Sequence, residues 1–294
     1  MNVNEQYKTL LNKVLAEGIE TKDRTGVGTL SIFGYQMRFN LMDGFPVIGL
    51  RPTPWKSAIA EEIGFQRAYH NANDFKLLGC NFWQANADAW NDSIHSKGNG
   101  DIGRAYGVQA RDWRDFDSWS GNQSVDQLKN AYDLIRDNPN SRRIFVSHWR
   151  PDELEMMALP PCHVSYQFYC DTKNKRMSLH LYMRSNDLIL GMPSNITEYA
   201  WLLKMTAYAF GYEAYELIYS IGDAHIYTDH IEGARELITR ESPSMPTLGC
   251  DMKLWDIFEA YKGREHDMFD AIHHDMFSLA GYEPHEQIKF KMAV

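Results

Sequence analysis

Cys162 lies in the run Ala158-Leu159-Pro160-Pro161-Cys162-His163, and an alternating segment follows it directly. A proline before it and a histidine after it set one thiol at the head of a strand, where it would face a pocket as a nucleophile. The thiolate is the reactive form, so such a cysteine needs cations or hydrogen-bond donors nearby. Arginine supplies them in short polar motifs: Asp23-Arg24-Thr25-Gly26, Asn140-Ser141-Arg142-Arg143 and Arg184-Ser185-Asn186-Asp187. A guanidinium fork matches two phosphate oxygens at once. One such arginine would more often just pair with a surface carboxylate. Four, each near a Ser or Thr hydroxyl, point to a single phosphate monoester.

Other side chains suit a small polar ligand. His225 and Tyr227 stand two apart on an extended segment, so they share a face and would donate to ligand hydroxyls. The spacing of His225 and His230 lacks the HExxH pattern, which argues against a metal site. Glu61 and Glu62 sit on a helical segment after Trp55. One of them, if buried, would be a general acid with a raised pKa; a solvated helix face is the other reading. Asn195 follows Gly191-Met192-Pro193-Ser194 and reads as the N-cap of an apolar helix. Its amide also carries the donor and acceptor needed to read a pyrimidine edge.

The elements that must position these groups alternate between two periods. Residues 4–18 space Leu10, Leu11, Val14 and Leu15 as a helix. Residues 30–41 read as a strand kinked at Gly34, and residues 55–69 as a helix begun after Pro54. Residues 70–125 read as irregular, with Trp83, Trp90, Trp113 and Trp119 lining a site. A helix is predicted over 125–137. Alternation then gives strands through Ile144-Val146-His148, Val164-Tyr166-Phe168 and Met177-Leu179-Leu181-Met183, the last two forming a hairpin. Residues 196–210 are apolar nearly all round, as in a buried central helix. Short strand and turn segments follow near Ile218 and His225, and residues 287–294 alternate again. The class is α+β, with a mixed sheet packed against helices.

The whole chain narrows the function classes. A net charge of −9 excludes a surface built to neutralise duplex nucleic acid. The four cysteines lack CxxC pairing, which argues against zinc ribbons and redox dithiols and suits a reducing, cytoplasmic compartment. No apolar run reaches membrane-spanning length, and residues 1–7 lack the pattern of a signal peptide. With 44% hydrophobic residues and no linker, the 294 residues are expected to form a single domain, 1–294.

Taken together, the motifs resemble the thymidylate synthase family, which includes the phage pyrimidine-nucleotide hydroxymethylases. The matches are Asp23-Arg24-Thr25-Gly26-Val27-Gly28-Thr29, Gly44-Phe45-Pro46, Asp101-Ile102-Gly103 with Tyr106-Gly107, Asn140-Ser141-Arg142-Arg143-Ile144, Leu159-Pro160-Pro161-Cys162-His163, Gln167-Phe168-Tyr169, Arg184-Ser185-Asn186-Asp187, Gly191-Met192-Pro193-Ser194-Asn195-Ile196, Gly222-Asp223-Ala224-His225-Ile226-Tyr227 and Lys291-Met292-Ala293-Val294. They run nearly end to end.

The resemblance implies a Cys162 thiolate that attacks C6 of dUMP, so that C5 accepts a one-carbon unit from 5,10-methylenetetrahydrofolate. It implies a nucleotide phosphate held by Arg24, Arg184, Arg142 and Arg143, with Ser185 beside them. The last two arginines would be lent across a homodimer interface formed by a sheet face. His225 and Tyr227 would hold the sugar hydroxyl, Asn195 the N3/O4 edge of uracil, Glu61 a water and proton relay at O4, and Tyr106 the departure of the C5 proton. Trp83, Asp187, Leu190, Gly191 and Ala293 would border the folate. No metal is implied.

Departures from the family pattern are Pro54-Trp55-Lys56-Ser57 before the glutamate, Ile63-Gly64-Phe65-Gln66 after it, Asn86 where a second tryptophan is usual, and Ser194. They bear on the last step. Methyl transfer giving dTMP is the first reading; hydroxymethylation of dUMP, or of dCMP with Glu198 standing in as the acid, is the alternative. Two further readings are a non-catalytic binding protein on this scaffold and a cysteine hydrolase. The hydrolase is disfavoured because His163, adjacent to Cys162, should point to the opposite strand face.

Overall fold

The computed structural model describes residues 2–22, 26–114 and 124–291. In chain order the elements are α1 (Val3–Glu17), β1 (Ile19–Thr21), β2 (Thr29–Asn40), α2 (Trp55–Gln66), α3 (Ala72–Leu77), α4 (Gln84–Trp90), α5 (Gly107–Arg111), β3 (Trp113–Arg114), β4 (Ser124–Val125), α6 (Gln127–Asp137), β5 (Phe145–Ser147), β6 (His163–Asp171), β7 (Arg176–Asp187), α7 (Gly191–Ala209), β8 (Glu213–Tyr227), α8 (Ile231–Thr239), β9 (Thr247–Cys250), α9 (Lys253–Ala260) and β10 (Phe277–Ala280).

A six-stranded sheet in the order β1-β2-β8-β7-β6-β5 forms the frame. All neighbours are antiparallel except β7 and β8, which are parallel. A parallel pair needs a long crossover, and α7 supplies it. The expected α+β class is the one observed. Met177, Leu179, Leu181 and Met183 of β7 are fully buried on one sheet face. Against that face pack α7, buried along most of its length, and then α2, whose residues from Ala58 to Gln66 are all buried. Among the described residues, no helix is long and apolar enough to cross a membrane.

Several boundaries differ from the sequence reading, each for a local reason. The region 70–125 holds three short helices. Helix α2 stops at Gln66 because Ala68 takes a left-handed φ of 56°. Asp126 fixes the start of α6: its side chain accepts from Lys129 N, leaving Ser124–Val125 to pair with β3. Helix α7 begins at Gly191, five residues early, because Pro193 falls in the first turn, where a proline N–H is not missed. Asn195 is therefore inside the helix and not its cap. Strand β8 runs unbroken for 15 residues where two pieces were expected. The alternation at 287–291 forms no strand. Lys291 O instead takes a bond from His230 Nε2 at 2.7 Å, and the Phe290 ring packs on His230.

The hairpin of β6 and β7 is present, with a register shift between His163 and Ser165. This bulge changes the phase of the strand. His163 and Tyr166, three apart, are both buried, while Val164 is only partly so. The expected alternation through Val164 is broken there.

Candidate active site

The sheet order places the chemistry at one spot. Cys162 precedes β6, which runs against β7, so Cys162 lies beside the C-terminal end of β7; Arg184 N donates to Cys162 O at 3.0 Å. The end of β7 also carries Ser185, Asn186 and Asp187, and the first turns of α7 follow at once with Gly191, Ser194 and Asn195. Ligands gather at this kind of place, outside the C-terminal ends of parallel strands. A cavity of about 330 Å³ opens here, lined among others by Glu61, Trp83, Tyr106, Cys162, Asn195 and Asp187.

Cys162 is partly exposed. Arg184 Nη2 lies 3.9 Å from its Sγ, and the guanidinium is steadied by Pro161 O at 2.9 Å, Pro160 O at 2.8 Å and the face of Trp149. A fixed cation beside the sulfur favours thiolate. The other cysteines differ: burial pushes the Cys80 and Cys170 thiols well up, and Cys250 is exposed elsewhere. Tyr106 accepts from Cys162 N at 2.9 Å, and burial raises its phenol. Its backbone sits at φ 41°, a strained conformation for a non-glycine residue. Gly107 explains the turn: a Cβ there would come within 2.0 Å of Phe65 O.

Across the cavity, Glu61 is buried and its Oε1 accepts from Trp83 Nε1 at 2.8 Å. Burial raises its carboxyl, partly offset by bonds from Glu198 and Trp83. Glu198, fully buried on α7, meets Glu61; burial and the Glu61 charge raise it well above the carboxylate range. Asn195 Nδ2 lies 3.0 Å from His163 Nε2 and 3.2 Å from Glu198 Oε2, and Asn195 Oδ1 accepts from Asn186 Nδ2 at 3.0 Å. The donor half of the Asn195 amide is thus committed to the protein, while its acceptor half stays beside the cavity. His163 was expected to point away from Cys162, yet the bulge turns it into the same cavity. Its ring nitrogens meet Asn195 and Tyr199, so no cysteine–histidine dyad forms.

Trp83, Leu190, Gly191 and Asp187 border the cavity, with Pro54, Phe82 and Leu159 completing an apolar wall. Asp187 Oδ1 is held by Ile189 N at 2.8 Å and Leu190 N at 3.2 Å, which leaves Oδ2 for a ligand N–H. That slot fits a flat heterocycle with an edge donor. Gly64, where the family pattern has a bulky residue, admits Phe75; a Cβ at 64 would come 2.3 Å from its ring. Ser185 lines the cavity, but His225, Tyr227, Arg142 and Arg143 do not. His225 bonds Asp223 at 2.7 Å near the end of β8, while His230 turns to Lys291 O. Arg142 and Arg143 stand exposed before the edge strand β5. Arg24 and Ala293 lie outside the described residues. Among the described residues, His273, His274 and Asp275 have metal-ligand spacing, away from this cavity.

Sequence reading missed Arg51, a buried arginine on the cavity wall whose Nη2 donates to Ile189 O at 2.5 Å. Its position between an apolar run and Pro52 was the available signal. Glu198 had been considered only as a stand-in acid. The family model for thymidylate synthase matches residues 5–294, and the chain belongs to that family, whose enzymes transfer a methyl or hydroxymethyl group to C5 of dUMP with methylenetetrahydrofolate as co-substrate.

Proposed function

We propose that this enzyme methylates dUMP to dTMP, with Cys162 as the nucleophile. The observation that carries the reading is the pairing of a partly exposed Cys162, 3.9 Å from Arg184 Nη2, with Asn195 and Glu61 across one cavity. Cys162 Sγ adds to C6 of the pyrimidine and the electron pair moves through C5 to O4. Glu61, kept from easy ionisation by burial, manages the proton at O4 through water. Tyr106, bound to Cys162 N, stands where the C5 proton must leave. The folate, bordered by Trp83, Leu190, Gly191 and Asp187, would supply the one-carbon unit and the reducing hydride. Binding energy from the distant phosphate serves to hold C6 over the sulfur.

The phosphate site is completed in this reading by a second protomer. Arg142 and Arg143 do not reach the cavity of their own chain, and they flank a sheet face left uncovered. Tyr169 is 69% exposed there, with Phe145 and Tyr182 on the same face by strand register. A homodimer through this face would bring both arginines to the partner's site, beside that site's Arg24 and Arg184. His225 and Tyr227 are assigned to the sugar hydroxyl, and Ala293 to folate closure.

Asn86 and Ser194 on the cavity wall favour a second reading, hydroxymethylation. Either polar side chain would hold a water where the family pattern offers apolar cover. The test is incubation with dUMP and methylenetetrahydrofolate. Dihydrofolate formation with a methyl gain on the nucleotide supports methylation. Tetrahydrofolate release with a hydroxymethyl gain overturns it in favour of the second reading.

A further inference from the structure

We propose that Glu198 is a positioning residue that sets the base specificity of this enzyme: it holds the Asn195 amide so that only an acceptor, Oδ1, faces the pyrimidine N3. This rests on the reading of the cavity as a pyrimidine nucleotide site. The polarity of the amide follows from its four neighbours. His163 is buried and neutral, its pKa lowered to about 3 by burial. In the tautomer that gives its Nδ1–H to Tyr199 Oη, 3.1 Å away, its Nε2 is a bare acceptor, the role that suits Asn195 Nδ2 at 3.0 Å. Glu198 Oε2 is also an acceptor, taking Asn195 Nδ2–H at 3.2 Å; a proton on this carboxyl then belongs on Oε1, which is buried without a hydrogen-bond partner among the described residues. Two buried carboxyls in contact cannot both ionise, and among the described residues no arginine or lysine acts on Glu198. The titratable groups around it are Glu61 and Glu62 on α2, Cys80, Tyr199 on α7 and Tyr219 on β8.

Both hydrogens of Asn195 Nδ2 are therefore taken, one by His163 and one by Glu198. Asn186 closes the set. Tyr219 Oη donates to Asn186 Oδ1 at 2.8 Å, which turns Asn186 Nδ2 onto Asn195 Oδ1. Oδ1 retains one lone pair on the Gly191 side, where a Cβ built on Gly191 would pass 3.5 Å from it. Reversing the amide would set Oδ1 against two acceptors at once. The remaining lone pair accepts N3–H of uracil. Cytosine presents a bare nitrogen at N3, so the two lone pairs would meet.

Calorimetric titration of the full chain with dUMP and with dCMP tests this, using wild type, Glu198→Gln and Glu198→Met. The wild type should prefer dUMP by about a hundredfold or more, as expected when a buried polar group is left unpaired by the wrong ligand. Gln reproduces the protonated acid, offering an oxygen to Asn195 and an N–H to Glu61, and should keep that preference. Met fills similar volume but accepts nothing, and should bring the ratio to within about tenfold. A role in packing alone would leave Met like wild type; that result, with the variant folded, overturns the proposal. Wild type that binds dUMP and dCMP alike overturns it without any variant. Wild type that binds neither nucleotide overturns the reading of the cavity itself, and Glu198's role with it.

Discussion

Around Asn195 each polar atom of the side chain has a partner from its own chain, and two of those partners, His163 and Asn186, are themselves held by Tyr199 and Tyr219. The groups expected at the phosphate are arranged differently. Arg184 spends two of its donors on Pro160 and Pro161, while Arg142 and Arg143 stand exposed away from the cavity. The base end is a low-dielectric, preorganised site in which a misplaced donor is costly. The phosphate end offers strong charge with little fixed geometry. In the proposed reading, discrimination between bases belongs to the first end, and affinity to the second, which a partner chain would complete.

The largest way to break this contrast is at the sulfur. Cys162→Ala should lower turnover by about 10⁴-fold or more while the affinity for dUMP changes little, because neither end loses a contact. Turnover that survives the change would remove the C6 adduct from the mechanism. Next comes Glu61→Gln. It keeps the bond from Trp83 but cannot exchange a proton, so kcat should fall by about 10²–10⁴-fold with KM nearly unchanged. A fall seen only in KM would make Glu61 a binding group.

The third change separates the two ends. Arg142→Ala with Arg143→Ala should raise KM for dUMP by about tenfold or more, each charge-assisted bond being worth about 1.5–3 kcal/mol, and should leave the preference for dUMP over dCMP intact. Mixed and reassembled with the inactive Cys162→Ala, this weak-binding variant should recover the wild-type KM at about a quarter of all sites, since half the dimers are mixed and each carries one whole site. No recovery would mean that the arginines serve their own chain, or that the sheet face is not the interface.

The two ends also differed in how far the sequence showed them. The candidate phosphate groups stand out in the sequence because four arginines recur in polar, turn-forming motifs, although any one alone would more often pair with a surface carboxylate. The hairpin and the buried character of α7 were equally plain, since each repeats one period over many residues. The base end depends on contacts between distant segments. Glu61 and Glu198 lie on α2 and α7, and nothing local shows that they meet. The bulge after His163 has no marker such as glycine, so the strand face of His163 was misjudged and a dry contact read as a turned-away one. The start of α7 falls earlier than read because Asn195 looks like an N-cap in the sequence, whereas Pro193 already sits in the first turn. Arg51 stayed hidden because its role comes from burial against Ile189 and Phe290.

The smallest effect concerns stability and lies one residue from the base end. Glu62 is buried with one oxygen bonded to Gln66 Nε2 at 2.6 Å and the other without a partner among the described residues. Burial pushes its carboxyl up from 4.5 to about 8. The folded chain then holds a proton that the unfolded chain releases across that interval. Stability contributed by this group is present at acid pH and falls as pH rises through the window. Glu62→Gln removes the titration and keeps an amide oxygen or nitrogen for Gln66. The variant should match wild type near pH 4 and be more stable at pH 9, by an amount on the order of a few kcal/mol at about 1.4 kcal/mol per decade of proton affinity. Thermal melting at the two pH values measures this directly. Burial raises Glu61 to about 7 and Glu198 well above the carboxylate range; in the proposed reading both serve the ligand, so dUMP should shift their contribution and leave that of Glu62 in place. Equal melting curves for variant and wild type at both pH values would mean that Glu62 reaches water, and that the dry, fully determined character of the base end stops short of it.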